Sequence, residues 1–390
     1  MKAIERIFID DAGNPNWMVY VPPFKYKVGS VERILGGFWM DKYPCSHPNA
    51  TATDRGTSTP NSPGTVGAVS QPRKVSWTGI DWNNAKVACQ NRRFNGVSCH
   101  LTTPQEWFAV AILAKLNGTI PRGNNSFGKD IDFPWEVAEP DPYFPTESGK
   151  QPGSADYPYY GNMYARTLVG TGPATWAHNH DPSGIFDLCG TVWEWIDMQV
   201  VDGGLTIGGN EYLIFPTEGG RARINKVGGI TDTDTTIPYD SPIGAALPAS
   251  GTVFIDNEQI TYTGNDGANL TGCTRGANGT TAAAHADDAP IFYSPGGQNS
   301  GQRILTMRSE ADLVPLGIPA TVSSGGSAEW NYDGYWHYRT SSPLGWSGTR
   351  AALRGGDWSL GTSAGVFALT LSYVPSDLAG SIGFRACKSI

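Results

Sequence analysis

Apolar and polar residues alternate along residues 17–43, and Pro and Gly interrupt the alternation. Since successive side chains of a strand point to opposite faces, this pattern predicts two or three short strands. Residues 46–72 are rich in Ser, Thr, Pro, Asn and Gly, which is typical of a long surface loop. Residues 246–293 alternate again with a period of two, and they predict a separate small β module inserted into the chain.

Two helices are predicted after the loop, because each has a start signal. Thr78 and Asp81 have capping-box spacing ahead of the first helix. At the second, Thr103 can accept a hydrogen bond from the backbone N–H of Glu106, and Pro104 suits the first helical position. The run behind it reads WFAVAILAKL, so the second helix is expected to be buried on nearly all sides.

The best-defined local motif is Trp193-Glu194-Trp195, in a stretch from 118 to 245 that otherwise reads as loop with short strands. Two indoles flanking a carboxylate predict a core brace. In such a brace Glu194 accepts hydrogen bonds from backbone or indole N–H groups. A direct ligand role for Glu194 remains an alternative.

Composition narrows the class of protein. The chain has 390 residues, and Lys+Arg 28 against Asp+Glu 36 gives a net charge of 28 − 36 = −8. Charged residues are 16% of the chain, against about 25% in ordinary domains, while Gly 49 and Pro 28 are high. With 39% hydrophobic residues a disordered chain is excluded, and the net charge argues against nucleic-acid binding. No secretion signal or membrane insertion is expected, since no apolar run is long enough.

The cysteines are far apart and form no Cys-x-x-Cys pair. A zinc ribbon, a thioredoxin-type site or a disulfide-dense scaffold is therefore not expected. Buried thiols are the favoured interpretation, and one or two tertiary disulfides remain open. The positions are Cys45, Cys89, Cys99, Cys189, Cys273 and Cys387.

Candidate metal and catalytic sites are weak. His178 and His180 could supply ligands, but nothing in the pattern places them on one face, so a polar loop is favoured. Asp232 and Asp234 suggest a calcium loop only faintly, because the later Gly and Glu of an EF-hand are missing, and a solvated turn is expected. The sequence contains no Gly-x-Ser-x-Gly elbow and no phosphate-binding loop.

Several segments, taken in order, resemble the formylglycine-generating enzyme/sulfatase-modifying branch of the C-type lectin fold. The matching segments are 18–22 with 37–44, 74–77, 101–107, 184–195, 353–358 and 383–385. The resemblance implies an α+β, loop-rich C-type lectin fold formed by 1–245 and 294–390, with 246–293 inserted. The insertion itself looks like a β module of phage virion proteins.

The enzyme chemistry of that branch is not expected here. Its copper-dependent oxidases carry a reactive cysteine pair between the motifs that match 353–358 and 383–385, and residues 359–382 contain no cysteine. Without a thiolate pair, a soft site for Cu(I) is missing. The family's calcium sites stay open, because Asn162 could match one ligand but Thr191 stands where the family has Asn. We therefore expect no cofactor, with calcium left undecided.

The stretch 329–390 resembles a more specific group, the variable proteins of diversity-generating retroelements, which include the tropism-determining receptor-binding proteins of phages. The resemblance implies that a reverse transcriptase rewrites adenines at chosen codons, typically Asn codons, within a fixed frame. Between Arg354 and Arg385 the chain looks like such a frame. The residues between its fixed positions are all reachable from an Asn codon. They also match the Tyr/Ser/Gly/Asp palette that antibody loops use.

The predicted ligand-binding positions fall in two groups. Upstream of the frame they are Tyr335, His337, Tyr338, Thr340 and Ser341. Within the frame they are Asp357, Ser359, Leu360, Ser363, Thr370, Ser372, Tyr373, Asp377, Ala379, Gly380 and Ser381. The predicted scaffold residues are Trp193, Glu194, Trp195, Trp358, Phe384 and Arg385, with Val366, Phe367 and Leu369 as further core anchors.

We therefore expect a non-enzymatic binding protein whose C-terminal surface is diversified. Its partner would be a cell-surface or host macromolecule, protein or glycan, with virion tail proteins as further contacts. Its place would be the virion tail or a cell surface. Two alternatives stay open: an enzyme or cofactor binder of the same fold that uses Glu194 or the His178/His180 loop, and a structural tail component.

Overall fold

The computed structural model describes residues 2–141, 166–214, 220–244, 246–293, 299–337 and 348–390. In these residues the chain is mostly β, with two α-helices, α1 (Trp82–Asn91) and α2 (Pro104–Leu116). Neither described helix has the length and apolar content that a bilayer crossing requires.

The strands follow in chain order. Before α1 they are β1 (Ile4–Ile9), β2 (Pro15–Val21), β3 (Phe24–Val28), β4 (Val31–Leu35) and β5 (Phe38–Asp41). Between α1 and α2 they are β6 (Arg93–Phe94), β7 (Val97–Ser98) and β8 (His100–Leu101), and after α2 come β9 (Trp193–Val201), β10 (Gly204–Ile207) and β11 (Asn210–Leu213). Next come β12 (Gly220–Arg223), β13 (Thr236–Pro238), β14 (Ile243–Gly244), β15 (Gly251–Ile255), β16 (Glu258–Tyr262), β17 (Gly264–Asn265), β18 (Asn269–Thr271) and β19 (Pro290–Tyr293). The last are β20 (Asn299–Met307), β21 (Pro319–Ser323), β22 (Gly334–His337), β23 (Thr349–Gly355), β24 (Gly365–Tyr373), β25 (Ile382–Phe384) and β26 (Ala386–Ser389).

Two sheets organise the larger part of the chain. A five-stranded sheet has the order β1-β2-β5-β26-β8, so β26, the last strand of the chain, lies between β5 and β8. A nine-stranded sheet has the order β11-β10-β9-β23-β24-β22-β20-β21, and β25 pairs in parallel with β9. The chain thus runs from one sheet to the other between β25 and β26, within the terminal Gly-Phe-Arg segment.

The first residues contain more strands than the alternation predicts. Instead of two or three strands, the chain forms β2, β3, β4 and β5, and β3 pairs with β4 as a separate hairpin. The turn between them contains Gly29, which has a positive φ of 57°. Glycine reaches this conformation without steric cost, so two strands fit where one was expected.

The start of α1 differs from the predicted capping box. Asp81 is the N-cap, and its carboxylate accepts a hydrogen bond from the backbone N–H of Asn84 at 2.8 Å. Thr78 lies outside the cap, and its hydroxyl accepts a hydrogen bond from Arg166 at 2.7 Å. The spacing of Thr78 and Asp81 therefore predicted the correct helix, but the N-cap is Asp81 and not Thr78.

The start of α2 is the predicted capping box. The hydroxyl of Thr103 accepts from the N–H of Glu106, and the Glu106 carboxylate accepts from the N–H of Thr103 at 2.9 Å. The helix is buried on nearly all sides, as predicted. Its core joins side chains of both large sheets, such as Met40 and Leu369.

A buried ion pair ties the two sheets together. The carboxylate of Glu194 on β9 accepts two hydrogen bonds from the guanidinium of Arg385, at 3.0 and 2.8 Å. The same guanidinium donates to the carbonyls of Asp41, at the end of β5, and Phe186. Burial raises the pKa of Glu194, and the charge of Arg385 opposes that rise. The expected brace is present, but a guanidinium takes the place of the backbone and indole donors predicted for Glu194.

The inserted module begins earlier than predicted. Strand β12 pairs with β19 and β14, so the five-stranded sheet β14-β12-β19-β15-β16 starts at Gly220 rather than at 246. A separate core includes Ile224 and Ile237 together with Val253 and Ile291. The segment before 246 escaped the prediction because its strands are only two to four residues long, too short to show a period.

A buried charge cluster stabilises the module. Glu258 pairs with Arg275 at 2.8 Å and contacts Nε2 of His285 at 2.8 Å. Burial acts to raise the pKa of Glu258, but hydrogen bonds from Arg275, from His285 and from two backbone N–H groups outweigh it and lower the pKa to about 2. The carboxylate therefore stays ionised inside the module.

The first prediction concerns the pair between the sheets. Changing Glu194→Gln leaves the Arg385 charge buried without its partner, and removing one member of a buried pair costs about 3–5 kcal/mol. Chemical denaturation measures this loss. The control is Glu32→Gln, which breaks the exposed Lys25–Glu32 pair on the β3–β4 hairpin and should cost at most about 1 kcal/mol. Equal losses for the two variants would contradict the role assigned to Glu194.

The second prediction concerns acid stability of the module. Because the pKa of Glu258 is about 2 in the folded chain and about 4.3 when unfolded, its contribution is complete above about pH 4.3. That contribution is lost as the pH falls toward 2. Thermal unfolding between pH 2 and 6 should show a smaller pH dependence for Glu258→Gln than for the unaltered chain. Identical slopes would show that Glu258 does not stabilise the module through its charge.

Candidate binding face

The predicted variable positions cluster where β23 and β24 lead into two loops. The strands are neighbours in the middle of the nine-stranded sheet, and β9 pairs with the other edge of β23. One loop, 356–364, follows β23, and the other, 374–381, follows β24. A rigid sheet thus carries both loops at its centre, which is the usual way in which binding loops are positioned.

Most described positions of the predicted set reach solvent. Ser359 is exposed, and the others are partly exposed. We call this set the C-terminal face. Its members are Asp357, Ser359, Leu360, Ser363, Ser372, Tyr373, Asp377, Ala379, Gly380 and Ser381.

Tyr335 and Thr370 do not belong to the face. Tyr335 is 0% exposed and Thr370 is 2% exposed, which contradicts the prediction that they contact a ligand directly. Tyr335 lies on the inner side of β22, packed into the core around α2. Thr370 has Trp336 of β22 and Leu353 of β23 directly opposite it, and the side chains of such pairs lie side by side on one face of the sheet. The prediction rested on residue types, and a residue's type does not say which side of a strand its side chain occupies.

The remaining upstream positions cannot be placed on the face. Tyr338, Thr340 and Ser341 lie outside the described residues, as does the side chain of His337. The backbone of His337 ends β22 and pairs with Asn299.

The backbone of the last part of loop 374–381 is held by groups outside the predicted variable set. The carbonyls of residues 379–381 accept, in that order, hydrogen bonds from the N–H of Gly79, the guanidinium of Arg166 and the N–H of Trp193, at 2.9, 2.8 and 2.8 Å. Arg166 is itself buried and paired with Asp141 at 2.6 Å. None of these bonds uses a side chain of residues 379–381, so these side chains can change while the loop keeps its path.

Loop 356–364 is held in a similar way. The N–H of Phe127 donates to the carbonyl of Trp358, and the N–H of Gly361 donates to the carbonyl of Asn125, both at 2.9 Å. Side chains of the loop also take part: the Asp357 carboxylate accepts from the N–H and the hydroxyl of Ser359, and the Thr362 hydroxyl accepts from Arg303. Position 357 therefore contributes to the shape of this loop.

The face brings two carboxylates near a phenol. Burial raises the pKa of Tyr373, and the negative charges of Asp357 and Asp377 raise it further. Burial also raises the pKa of Asp357, while its bonds to Ser359 act in the opposite direction. Asp377 closes its own turn by accepting from the N–H of Val374 at 2.8 Å. At neutral pH Tyr373 is a neutral hydrogen-bond donor beside acidic groups.

An aromatic residue that the prediction missed lies on the same side of the sheet. Trp336 is partly exposed and packs against the core cluster that also supports Leu360, Tyr373 and Ala379. Its ring meets that of Trp193 edge-on, with centroids 5.4 Å apart. Since neighbouring side chains of a strand point to opposite sides, inward-facing Tyr335 requires outward-facing Trp336.

The predicted scaffold residues are all buried. Trp195 donates its indole N–H to the carbonyl of Ile80 at 3.0 Å, and its ring meets Tyr373 edge-on at 6.3 Å. The buried set is Trp193, Glu194, Trp195, Trp358, Val366, Phe367, Leu369, Phe384 and Arg385. The partly exposed Tyr373 thus rests on a fixed indole.

The two histidine candidates and Asp234 have structural partners, whereas Asp232 is exposed, as expected of a solvated turn. Nδ1 of His178 accepts the N–H of Ile185 at 2.9 Å, and burial lowers the pKa of His178 to about 4. His180 contacts the carbonyl of Ile120 through Nε2 at 2.9 Å. Asp234 accepts from Lys226. Within the described ranges, no group of three or more His, Cys, Asp or Glu is arranged to hold a metal ion.

All the cysteines are buried and free, as the favoured interpretation predicts. Burial raises the pKa of the Cys189 and Cys387 thiols well above the ordinary value. A thiol of this kind is a poor nucleophile and a poor metal ligand, because the reactive form is the thiolate. Cys387 therefore does not fit the copper chemistry of the oxidases that the sequence resembles.

Neither the comparison with family models nor that with curated proteins gave a match. Among solved structures, the chain is similar to variants of a major tropism determinant. The U1 variant is 10% identical with a TM-score of 0.32, over 99% of this chain and 71% of that one. The P3c variant is 11% identical with a TM-score of 0.31, over 98% and 71%. At these TM-scores the likeness does not by itself establish a shared fold.

The third prediction tests the burial of Tyr335. Its hydroxyl is buried and has no hydrogen-bond partner among the described groups, so Tyr335→Phe should leave stability unchanged or raise it by up to about 1 kcal/mol. Tyr335→Ala should lower stability by about 3–5 kcal/mol through the cavity that it leaves. Both changes are measured by chemical denaturation.

The matched control is Tyr262→Phe. The Tyr262 side chain is also buried, but its hydroxyl donates to the carbonyl of Pro248 at 3.1 Å, so its loss should cost about 1 kcal/mol. A tolerated Tyr335→Ala change would instead place position 335 at the surface.

Proposed function

We propose that this chain is a non-enzymatic receptor-binding protein of the C-type lectin type, and that its C-terminal face is varied to recognise a cell-surface or host macromolecule. The observation that carries the proposal is the separation of backbone support from displayed side chains. Residues 379–381 are held through their carbonyls by Gly79, Arg166 and Trp193. A surface built in this way tolerates substitution without losing its shape.

The chemistry of the face supports binding. Tyr373, Asp377 and small residues such as Ser372 give a mixture of rigid aromatic area and adaptable polar groups, as antibody loops do. Trp336 adds a fixed aromatic ring beside the varied positions. We propose a virion tail as the location, and a retroelement as the source of variation, from the fixed frame between Arg354 and Arg385.

The absence of cysteine from residues 359–382 supports binding rather than oxidation. The resemblance to formylglycine-generating enzymes therefore belongs to the proposed fold and not to the proposed activity. No bound metal is required by any contact described above.

The fourth prediction tests the capacity of the face to vary. A library randomised at Ser359, Ser363, Ala379 and Ser381 should remain folded in most members, because changes at surface positions usually alter stability by less than about 1 kcal/mol. Selection of the displayed library against an unrelated protein should then yield binders. Folding is scored by protease resistance and by thermal unfolding.

The control library also has four randomised positions, Val366, Phe367, Leu369 and Phe384, which are buried. Most of its members should unfold. If the first library also unfolds, the face is part of the core and the proposal is wrong. The retroelement itself is tested by sequencing the flanking DNA, since it requires a reverse-transcriptase gene and a second copy of the 3′ coding repeat that differs only at adenines.

A further inference from the structure

A cavity of about 350 Å³ opens beside loop 356–364. Its volume lies within the range of small-molecule sites. Its walls come from two distant parts of the chain: Arg122, Asp132 and Phe133 on one side, and Arg303 with Tyr332 on the other. None of its lining residues is a predicted variable position, so recognition of a ligand in the cavity would be independent of the proposed diversification.

The cavity has strained backbone in its wall. Asn331 and Tyr332 are consecutive non-glycine residues with positive φ, 58° and 56°. Such a conformation costs about 1–3 kcal/mol for each residue and concentrates at functional sites. Here the strained pair brings the amide of Asn331 and the ring of Tyr332, which is 42% exposed, to the cavity.

Each wall carries a guanidinium near an aromatic ring. Arg122 lies 3.2 Å from the ring centre of Phe133, and Arg303 lies 6.0 Å from that of Tyr332. The two arginines differ in their charge balance. Arg122 is paired with Glu136, whereas Arg303 makes no ion pair with any described carboxylate and donates one hydrogen bond, to Thr362, at 2.7 Å.

The two acidic side chains of the lining differ as well. Asp130 is buried, and its oxygens accept from backbone N–H groups and from Asn125, which commits it to holding its own loop. Asp132 is exposed, and its carboxylate accepts no hydrogen bond from a described group. The cavity therefore offers one guanidinium without an ion-pair partner among the described residues, that of Arg303. It also offers one carboxylate that can accept hydrogen bonds, that of Asp132, whose charge is screened by the surrounding solvent.

From this arrangement we infer that the cavity binds an acidic sugar, a pyranose ring that carries a carboxylate. The Arg303 guanidinium receives the carboxylate, because its planar fork matches two oxygens. Asp132, Asn331 and Thr362 bond the ring hydroxyls, and Tyr332 packs against the C–H face of the ring. A group with more negative charge, such as a phosphate dianion, is disfavoured because Asp132 repels it and because Arg303 alone cannot balance two negative charges.

The site adjoins the C-terminal face through Thr362. This residue lies between Leu360 and Ser363 in loop 356–364, and its hydroxyl accepts the hydrogen bond from Arg303. A sugar in the cavity would therefore have its neighbours in a glycan chain beside the varied positions. Outside the cavity, Trp135 is 73% exposed and meets Phe133 edge-on at 5.5 Å, which extends the aromatic surface.

The test uses the full chain with D-glucuronate, D-glucose and acetate as probes in isothermal titration calorimetry. We expect saturable binding of D-glucuronate, with D-glucose and acetate each about ten-fold weaker, because each lacks one of the two recognised parts. Arg303→Gln should reduce the affinity for D-glucuronate to that for D-glucose, and Arg303→Lys should fall in between.

The matched control is Arg6→Gln. Arg6 also lies over an aromatic ring, 4.9 Å from the centre of Phe8, but on β1 in the other sheet, so the change should leave D-glucuronate binding unaltered. Thermal unfolding of each variant confirms that it is folded. Equal affinity for D-glucuronate and D-glucose, unchanged binding by Arg303→Gln, equal affinity for acetate, or no saturable binding of D-glucuronate would each overturn the inference.

Discussion

The interaction on which the fold depends is the buried pair between Glu194 and Arg385. It joins β9 of the larger sheet to the residue between β25 and β26, where the chain passes into the smaller sheet, and the same guanidinium reaches the carbonyls of Asp41 and Phe186. A buried charge is costly unless every hydrogen-bonding group around it is satisfied, so the two sheets have little freedom to shift against each other. This constraint also helps to fix β23, which pairs with β9, and β24, which pairs with β23.

A rigid sheet would allow two loops to present different side chains without changing shape, as the proposed function requires. The loops after β23 and β24 are held mainly through backbone groups, and those bonds come from Asn125, Arg166, Trp193 and other residues outside the loops. The hydrogen bonds that fix the path of each loop are thus mostly separate from the side chains that would contact a ligand. Positions 357 and 377 are exceptions, because the carboxylate of Asp357 accepts from Ser359 and that of Asp377 accepts from the N–H of Val374, each within its own loop.

Local signals in the sequence were sufficient for some features. Thr103 and Glu106 predicted the start of α2, because a capping box is formed by residues three apart. The brace at Glu194 was predicted without its true partner, since Arg385 lies 191 positions away. The exposure of Tyr335 was predicted wrongly, because a residue's suitability for display says nothing about strand orientation.

The cavity beside loop 356–364 had no signal in the sequence for a similar reason. Arg122 and Arg303 are brought together only by the pairing of distant strands and loops, and neither stands in a recognisable motif. The strain at Asn331 and Tyr332 is a property of φ and could not be read from residue type.

The module that begins at Gly220 has one further consequence. Its first and last strands, β12 and β19, are direct partners, with Gly220 opposite Tyr293. The chain therefore enters and leaves the module at almost the same point, a geometry in which insertion of a domain disturbs its host least. Removal of the module would therefore leave the two ends of the remaining chain close enough for a short linker to join them.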